Sequence, residues 1–357
     1  MKCVVLVGGE GTRLRPLTYA VPKQMLPIVE MAMVERVLSR LAQAGVDEAV
    51  LSLGYKPDAF VEAYPDGVAQ GVRLTYAVEP EPLDTAGAIA FAARAGGITD
   101  TFLAVNGDVL TDASLDELIA LHRSSGAAAT IALTPVEDPS AFGVVDVDLS
   151  GRVQAFVEKP PPGTELTDMI NAGTYVLESS VLASIDPSRR VSIEREIFPA
   201  LVAEGSLYAV GSDAYWLDTG TPAQYLTAHR DLISGVRGMA PHPSARRVDD
   251  ALWVIGDPDV EGDVDESFVG EGAHIAAGAT VDESTVGARC TVAAGAVVRC
   301  SVLLPGVVVE AGATVEDSII GAGATVGSIA SLSNLSVIGM GEKIESGAML
   351  SGARVPE

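Results

Sequence analysis

From residue 1 to about residue 232, short runs of branched aliphatic residues alternate with stretches whose apolar positions recur every three or four places. Residues 2–7, 49–53, 74–78, 101–105 and 129–133 read as strands, and residues 33–43 and 115–122 as amphipathic helices. Strand and helix in turn predict an α/β fold with a mostly parallel sheet covered on both faces. In such a sheet, ligands collect at the carboxyl ends of the strands. The residues that follow each strand therefore matter most for function.

The period then changes. Branched aliphatics stand at Val269, Ile275, Val281, Val286, Val292, Val298, Leu303, Val309, Val315, Ile320 and Val326, with spacings of 6, 6 and 5 repeating throughout. One cycle is 17 residues long, so Val269, Val286, Leu303 and Ile320 hold equivalent places. The fifth place of each hexad is usually small, as at Ala273, Ala279, Cys290, Ala296, Ala313 and Ala324. A phase kept this long predicts a parallel β-helix of three short strands per coil, with aliphatics inside and small residues at the corners. A flat run of hairpins has no reason to keep it. The Gly- and Pro-bearing stretch 235–250 reads as a linker between domains expected at 1–234 and 251–357.

Charge narrows the partners. With 23 basic and 48 acidic residues the net charge is −25, which argues against non-specific nucleic-acid binding. An anionic substrate would need a few well-placed cations or a metal. No stretch approaches the ~20 uncharged residues of a membrane span, and the amino terminus reads as a strand where a signal peptide needs a longer apolar core. A cytoplasmic protein with no membrane partner is expected. Cys3, Cys290 and Cys300 show no metal-ligand spacing and read as small residues in a reducing compartment.

The first strand runs into Gly8-Gly9-Glu10-Gly11-Thr12-Arg13-Leu14-Arg15-Pro16-Leu17. Glycines there expose consecutive backbone N–H groups, a cradle for phosphate oxygens, and Arg13 and Arg15 offer forked donors. The loop is neither a Walker motif nor a dinucleotide fingerprint. Lys23, between Pro22 and Gln24, is a solvated lysine on the bland reading and a positioned cation on the sharp one. Asp108 and Asp218 each fall at a strand end. Asp112, Asp116 and Glu117 sit at a helix start, where carboxylates complement the dipole, and read as structural.

These residues resemble the signature of the sugar-1-phosphate nucleotidylyltransferases. The similarity continues through Asn106-Gly107-Asp108, Phe142-Gly143-Val144-Val145, Val157-Glu158-Lys159-Pro160, Ile170-Asn171-Ala172-Gly173 and Trp216-Leu217-Asp218-Thr219-Gly220. Val191-Ser192-Ile193-Glu194-Arg195-Glu196-Ile197-Phe198-Pro199 and the hexads are most similar to the mannose-1-phosphate guanylyltransferase branch. The resemblance implies a Rossmann-like nucleotidyltransferase domain followed by a left-handed parallel β-helix of hexapeptide repeats. It implies a nucleotide site at Leu6, Gly8, Gly9, Gly11, Thr12, Glu81, Pro82 and Gly87, and a sugar site at Gly143, Glu158, Asn171 and Gly173. Arg13, Lys23 and Lys159 would be the catalytic cations, with Asp108 and Asp218 as ligands for Mg²⁺.

GTP and mannose 1-phosphate would be the substrates, giving GDP-mannose and pyrophosphate, and the coils favour a homo-oligomer. Two departures bear on the base: Asp84 stands where relatives usually carry Gly, and Gln24 matches a thymidylyl-type pattern. The alternatives are thymidylyl or uridylyl transfer to glucose 1-phosphate, and a catalytically silent subunit that senses nucleotide sugar. Acyl transfer, which such β-helices also host, usually wants a histidine between subunits, and the repeat offers only His274.

Overall fold

A computed structural model of the chain describes residues 1–187, 189–238, 240–248 and 252–357. Met239 and residues 249–250 of the expected linker, and Ala251 at the start of the expected second domain, lie outside the described residues. The chain packs into two compact units: Met1–Gly9 with Val34–Trp216, and Glu10–Met33 with Leu217–Glu357.

The first unit is built on a mixed sheet. Its parallel centre runs Phe102–Asn106, Lys2–Leu6, Glu48–Leu53 and Val72–Val78. On the Phe102–Asn106 side the sheet continues antiparallel through Met169–Leu177 and Gly143–Val147 to Val153–Glu158. Ala129–Pro135 also pairs with Met169–Leu177 and carries Leu207–Gly211 parallel to it. Of these, Phe102–Asn106, Lys2–Leu6 and Glu48–Leu53 are buried on both faces, which explains runs such as Cys3-Val4-Val5 and Leu103-Ala104-Val105 with no polar alternation.

In the helix Met33–Gln43, Val34, Val37, Leu38 and Leu41 form the buried stripe that the spacing predicted. The helix Leu115–Ser125 starts with Ser114 Oγ accepting from Glu117 N, and ends on left-handed Gly126. Asp116 and Glu117 lie in its first turn, the structural role read from the sequence.

In the second unit, three sheets of parallel strands stack coil on coil, as expected of a left-handed hexapeptide β-helix. Val269 pairs with Val286, Val286 with Leu303, and Leu303 with Ile320, the 17-residue step of the sequence. All four are fully buried, as are the small corner residues Ala296, Ala313 and Ala324. A second corner holds a column the aliphatic pattern did not reveal, the buried serines Ser267, Ser284, Ser301 and Ser318. Each of the first three accepts from the backbone N–H of the serine one coil on, at 3.0 to 3.1 Å.

Among the described residues the step departs from 17 twice, first in the opening coil, where Val254 pairs with Val269 and Val260 with Ile275, a step of 15. Ile320 pairs with Ile338, a step of 18, and the extra residue is absorbed where Asn334 and Leu335 both adopt positive φ. The segment 10–33 belongs to this unit because of specific ties. Glu30 accepts from Ala288 N, Tyr225 Oη donates to the Pro27 carbonyl, and Val29 N donates to His229 Nδ1 at 3.4 Å.

Candidate functional site

In the second unit, the glycine-rich loop is shaped by Gly11. It has φ +62°, and a Cβ there would meet Lys23 Cβ at 2.8 Å and Thr18 Cγ2 at 3.0 Å. Its carbonyl accepts from Thr18 Oγ1 and from Leu14 N, both at 2.9 Å. Lys23 is buried, not the solvated surface lysine of the bland reading. Its Nζ lies 4.0 Å from Asp218 Oδ1, while Arg13 Nη2 lies 3.9 Å from Asp218 Oδ2. A buried ammonium persists only with a charge partner and further polar contacts. Arg15, by contrast, turns to Glu10 at 3.0 Å and over the Tyr19 ring. Thr12 is exposed.

The Asp218 carboxylate offers oxygen atoms, the ligand type that a hard divalent cation takes. A Cβ at residue 220 would sit 2.4 Å from Arg13 Nη2 and 2.9 Å from Asp218 Oδ1, so Gly220 is what lets the guanidinium and the carboxylate approach each other there. Among the described residues no group of three or more His, Cys, Asp or Glu could hold a metal. A sparse carboxylate set is what Mg²⁺ takes, filling its remaining positions with phosphate and water.

In the first unit, the loops after the parallel strands are laced together. Gly107 N donates to the Leu6 carbonyl at 2.9 Å, and Tyr55 N to the Gly8 carbonyl at 3.2 Å. Glu79 accepts from Ser52 Oγ at 2.9 Å and from Leu83 N at 3.2 Å, which folds back the loop carrying Glu81 and Pro82, both exposed. Asp84 has φ +62° and its carboxylate accepts from Thr85 N at 2.8 Å, so it forms its own turn. Gly87 is buried and its N–H is committed to the Val191 carbonyl. Gly9 is exposed and Asp108 half-buried.

The sugar-side residues of the sequence reading do come together. Gly143 stands opposite Glu158 in the antiparallel register, and Lys159 N donates to the Phe142 carbonyl at 2.9 Å. Lys159 holds φ +50°, a strained state for a side chain of that size, and its Nζ lies 3.9 Å from Glu158 Oε1. Burial pushes the Glu158 carboxyl above the usual range, and the charge of Glu194 adds to this, opposed by Lys159 and Arg195. Asn171 donates to Tyr175 Oη at 3.0 Å and accepts from Gly173 N at 3.1 Å, which fixes its amide orientation. Trp216 donates to the Ala172 carbonyl at 3.0 Å and packs edge-on against Phe142.

Sequence reasoning passed over Thr85 and Glu194. Thr85 Oγ1 donates to Glu194 Oε2 at 2.7 Å across 109 residues of chain. No local pattern marks such a pair. Gln24 is also buried, and its amide oxygen has no hydrogen-bond partner among the described residues.

The nucleotidyl transferase family model matches residues 2–235, and the GMPPB C-terminal domain model matches residues 264–356. Mannose-1-phosphate guanylyltransferase of Mycobacterium tuberculosis is 46% identical over 248 residues, covering 68% of this chain and 67% of that protein. A probable mannose-1-phosphate guanylyltransferase 3 of Oryza sativa is 35% identical over 345 residues, covering 95% of this chain and 91% of that protein. Among solved structures, HddC from Yersinia pseudotuberculosis complexed with GMP-PN superposes with TM-score 0.55 at 29% identity, over 64% of this chain and 98% of that one. With the glycine-rich loop, the strand-end carboxylates and the stacked coils all in their expected order, the chain belongs to the nucleotidyl transferase family, among the mannose-1-phosphate guanylyltransferases.

Proposed function

We propose that the chain transfers the guanylyl group of GTP to mannose 1-phosphate, forming GDP-mannose and releasing pyrophosphate. The observation that carries this reading is the relationship to a mannose-1-phosphate guanylyltransferase over 68% of the chain and to a probable one over 95%. A sugar phosphate that is already ionised needs no general base, so the protein's work is alignment and charge neutralisation. Arg13 would stabilise charge developing on the departing pyrophosphate, and Lys23 would neutralise the α-phosphate. Lys159 would hold the attacking phosphate, while Glu158, Asn171 and the backbone at Gly143 and Gly173 orient the hexose. Leu6, Gly8, Gly9, Gly11 and Thr12 would cradle the triphosphate, and Glu81, Pro82 and Gly87 the base.

Nucleotidyltransferases of this family generally use a divalent metal. We assign it as Mg²⁺ with Asp108 and Asp218 as ligands; when bound, it neutralises phosphate charge. Asp108→Asn is expected to fold normally and lose most turnover, measured as pyrophosphate release; wild-type turnover at saturating Mg²⁺ would remove Asp108 from that role. Among the described residues no helix is long and apolar enough to cross a membrane, and the three cysteines carry free thiols. Both fit a cytoplasmic enzyme. The coil ends favour a homo-oligomer, since an unpaired strand edge invites association.

The deciding experiment crosses GTP, dTTP, UTP, CTP and ATP with mannose, glucose and glucosamine 1-phosphates and follows pyrophosphate release. GTP with mannose 1-phosphate is expected to give the highest kcat/KM. Preference for dTTP or UTP with glucose 1-phosphate would replace this assignment, and binding without turnover would indicate a silent sensing subunit.

A further inference from the structure

We propose that Thr85 and Glu194 are a positioning pair, which ties the loop carrying Glu81 and Pro82 to the sugar-side carboxylate Glu158. The inference rests on the assignment of Glu158 to the hexose. Thr85 Oγ1 is saturated in both senses: it donates to Glu194 Oε2 at 2.7 Å and accepts from Ile193 N at 2.9 Å. Ser192 Oγ donates to the same carboxylate oxygen at 2.8 Å. Around this hydroxyl the backbone is stitched as well. Val191 N donates to the Leu83 carbonyl, and Ala86 N and Gly87 N both donate to the Val191 carbonyl. The start of the helix Asp84–Ala95 and residues 191–194 thus move as one body.

Two hydroxyl donors on one oxygen, from Thr85 and Ser192, hold the Glu194 carboxylate in place. That charge faces Glu158, together with Asp84 of the same loop, Lys159 and Arg195. Glu194 raises the proton affinity of Glu158, as burial does, which makes Glu158 a stronger acceptor for a sugar hydroxyl. The same field makes Glu158 lose its acceptor role sooner as pH falls. Any displacement of the loop at Thr85 moves Glu194, and with it the charge that acts on Glu158.

The test is steady-state kinetics of the full chain with GTP and mannose 1-phosphate across the acid-to-neutral range. Glu194→Gln keeps an oxygen for both hydroxyls and removes the charge. The acid limb of kcat/KM for the sugar phosphate should move down by roughly half to one pH unit, with the KM for GTP unchanged. Thr85→Val should raise both KM values about tenfold, and Thr85→Ser should restore most of the loss. A purely structural tie would lower the melting temperature without moving the limb. An unmoved limb in Glu194→Gln, or a Thr85→Ser variant as impaired as Thr85→Val, overturns the inference while leaving the parent function standing. Absence of turnover in the unsubstituted enzyme overturns both.

Discussion

In the solenoid the same kind of side chain returns every 17 residues to the same neighbours: Leu303 lies between Val286 and Ile320, and Ser301 between Ser284 and Ser318. In the sheet unit no position repeats. Gly8 follows one parallel strand, Gly54 the next, Glu79 the third and Gly107 the fourth, each with its own bonding. Repetition distributes stability evenly and leaves little room for chemistry. The irregular loops concentrate chemistry in single residues that no neighbour can replace. Substitutions in the two regions should therefore fail in different ways.

The sharpest contrast is expected from Lys23→Met. It should lower kcat/KM for pyrophosphate release by about a thousandfold, the scale of losing a well-placed charge donor at a reacting phosphate. Near-normal turnover would mean that Lys23 serves only to pair with Asp218. Leu303→Ala should do the opposite. A fully buried leucine removed from the stack is expected to destabilise by about 2–5 kcal/mol in thermal or denaturant unfolding, with kcat of the folded fraction unchanged. A changed kcat would break the division between the two kinds of region.

Ser301→Ala should be milder, about 1–2 kcal/mol, because it leaves Ser318 N without its acceptor in a buried corner. Gln24→Leu is expected to be smallest, within about 1 kcal/mol and on the stabilising side, since it removes a buried acceptor that has no partner among the described residues. Its KM for GTP, compared with that for dTTP, would sharpen what this departure from the guanylyl pattern means.

How far each region was legible follows from the same contrast. The hexads announced their own pairing, and the step from Val269 to Ile320 was read correctly through four coils. The serine column escaped because its residues are polar, and an aliphatic search passes over them. The extra residue at Asn334 and Leu335 lies beyond the last aliphatic counted, Val326. In the sheet unit the parallel centre was legible from dense apolar runs. The antiparallel strand Val153–Glu158 was not, because its alternation is broken by partly exposed positions. The motif residues were found by resemblance. Burial of Lys23 and the bond from Thr85 to Glu194 depend on chain segments far apart in sequence, and no local signal encodes them.

The 17-residue coil also has a consequence for how such chains change length. Among the described residues, each strand of the rod from Ser267–Val269 to Val337–Ile338 pairs with the strand one coil before it and the strand one coil after. Excising residues 286–302 would set Leu303 where Val286 stood, and every later aliphatic would still point inward. Excising one residue fewer would turn the following strand inside out, unless a corner like that at 334–335 took up the difference. The rod is thus a ruler with fixed graduations: genes can add or drop whole marks without rewriting those that remain.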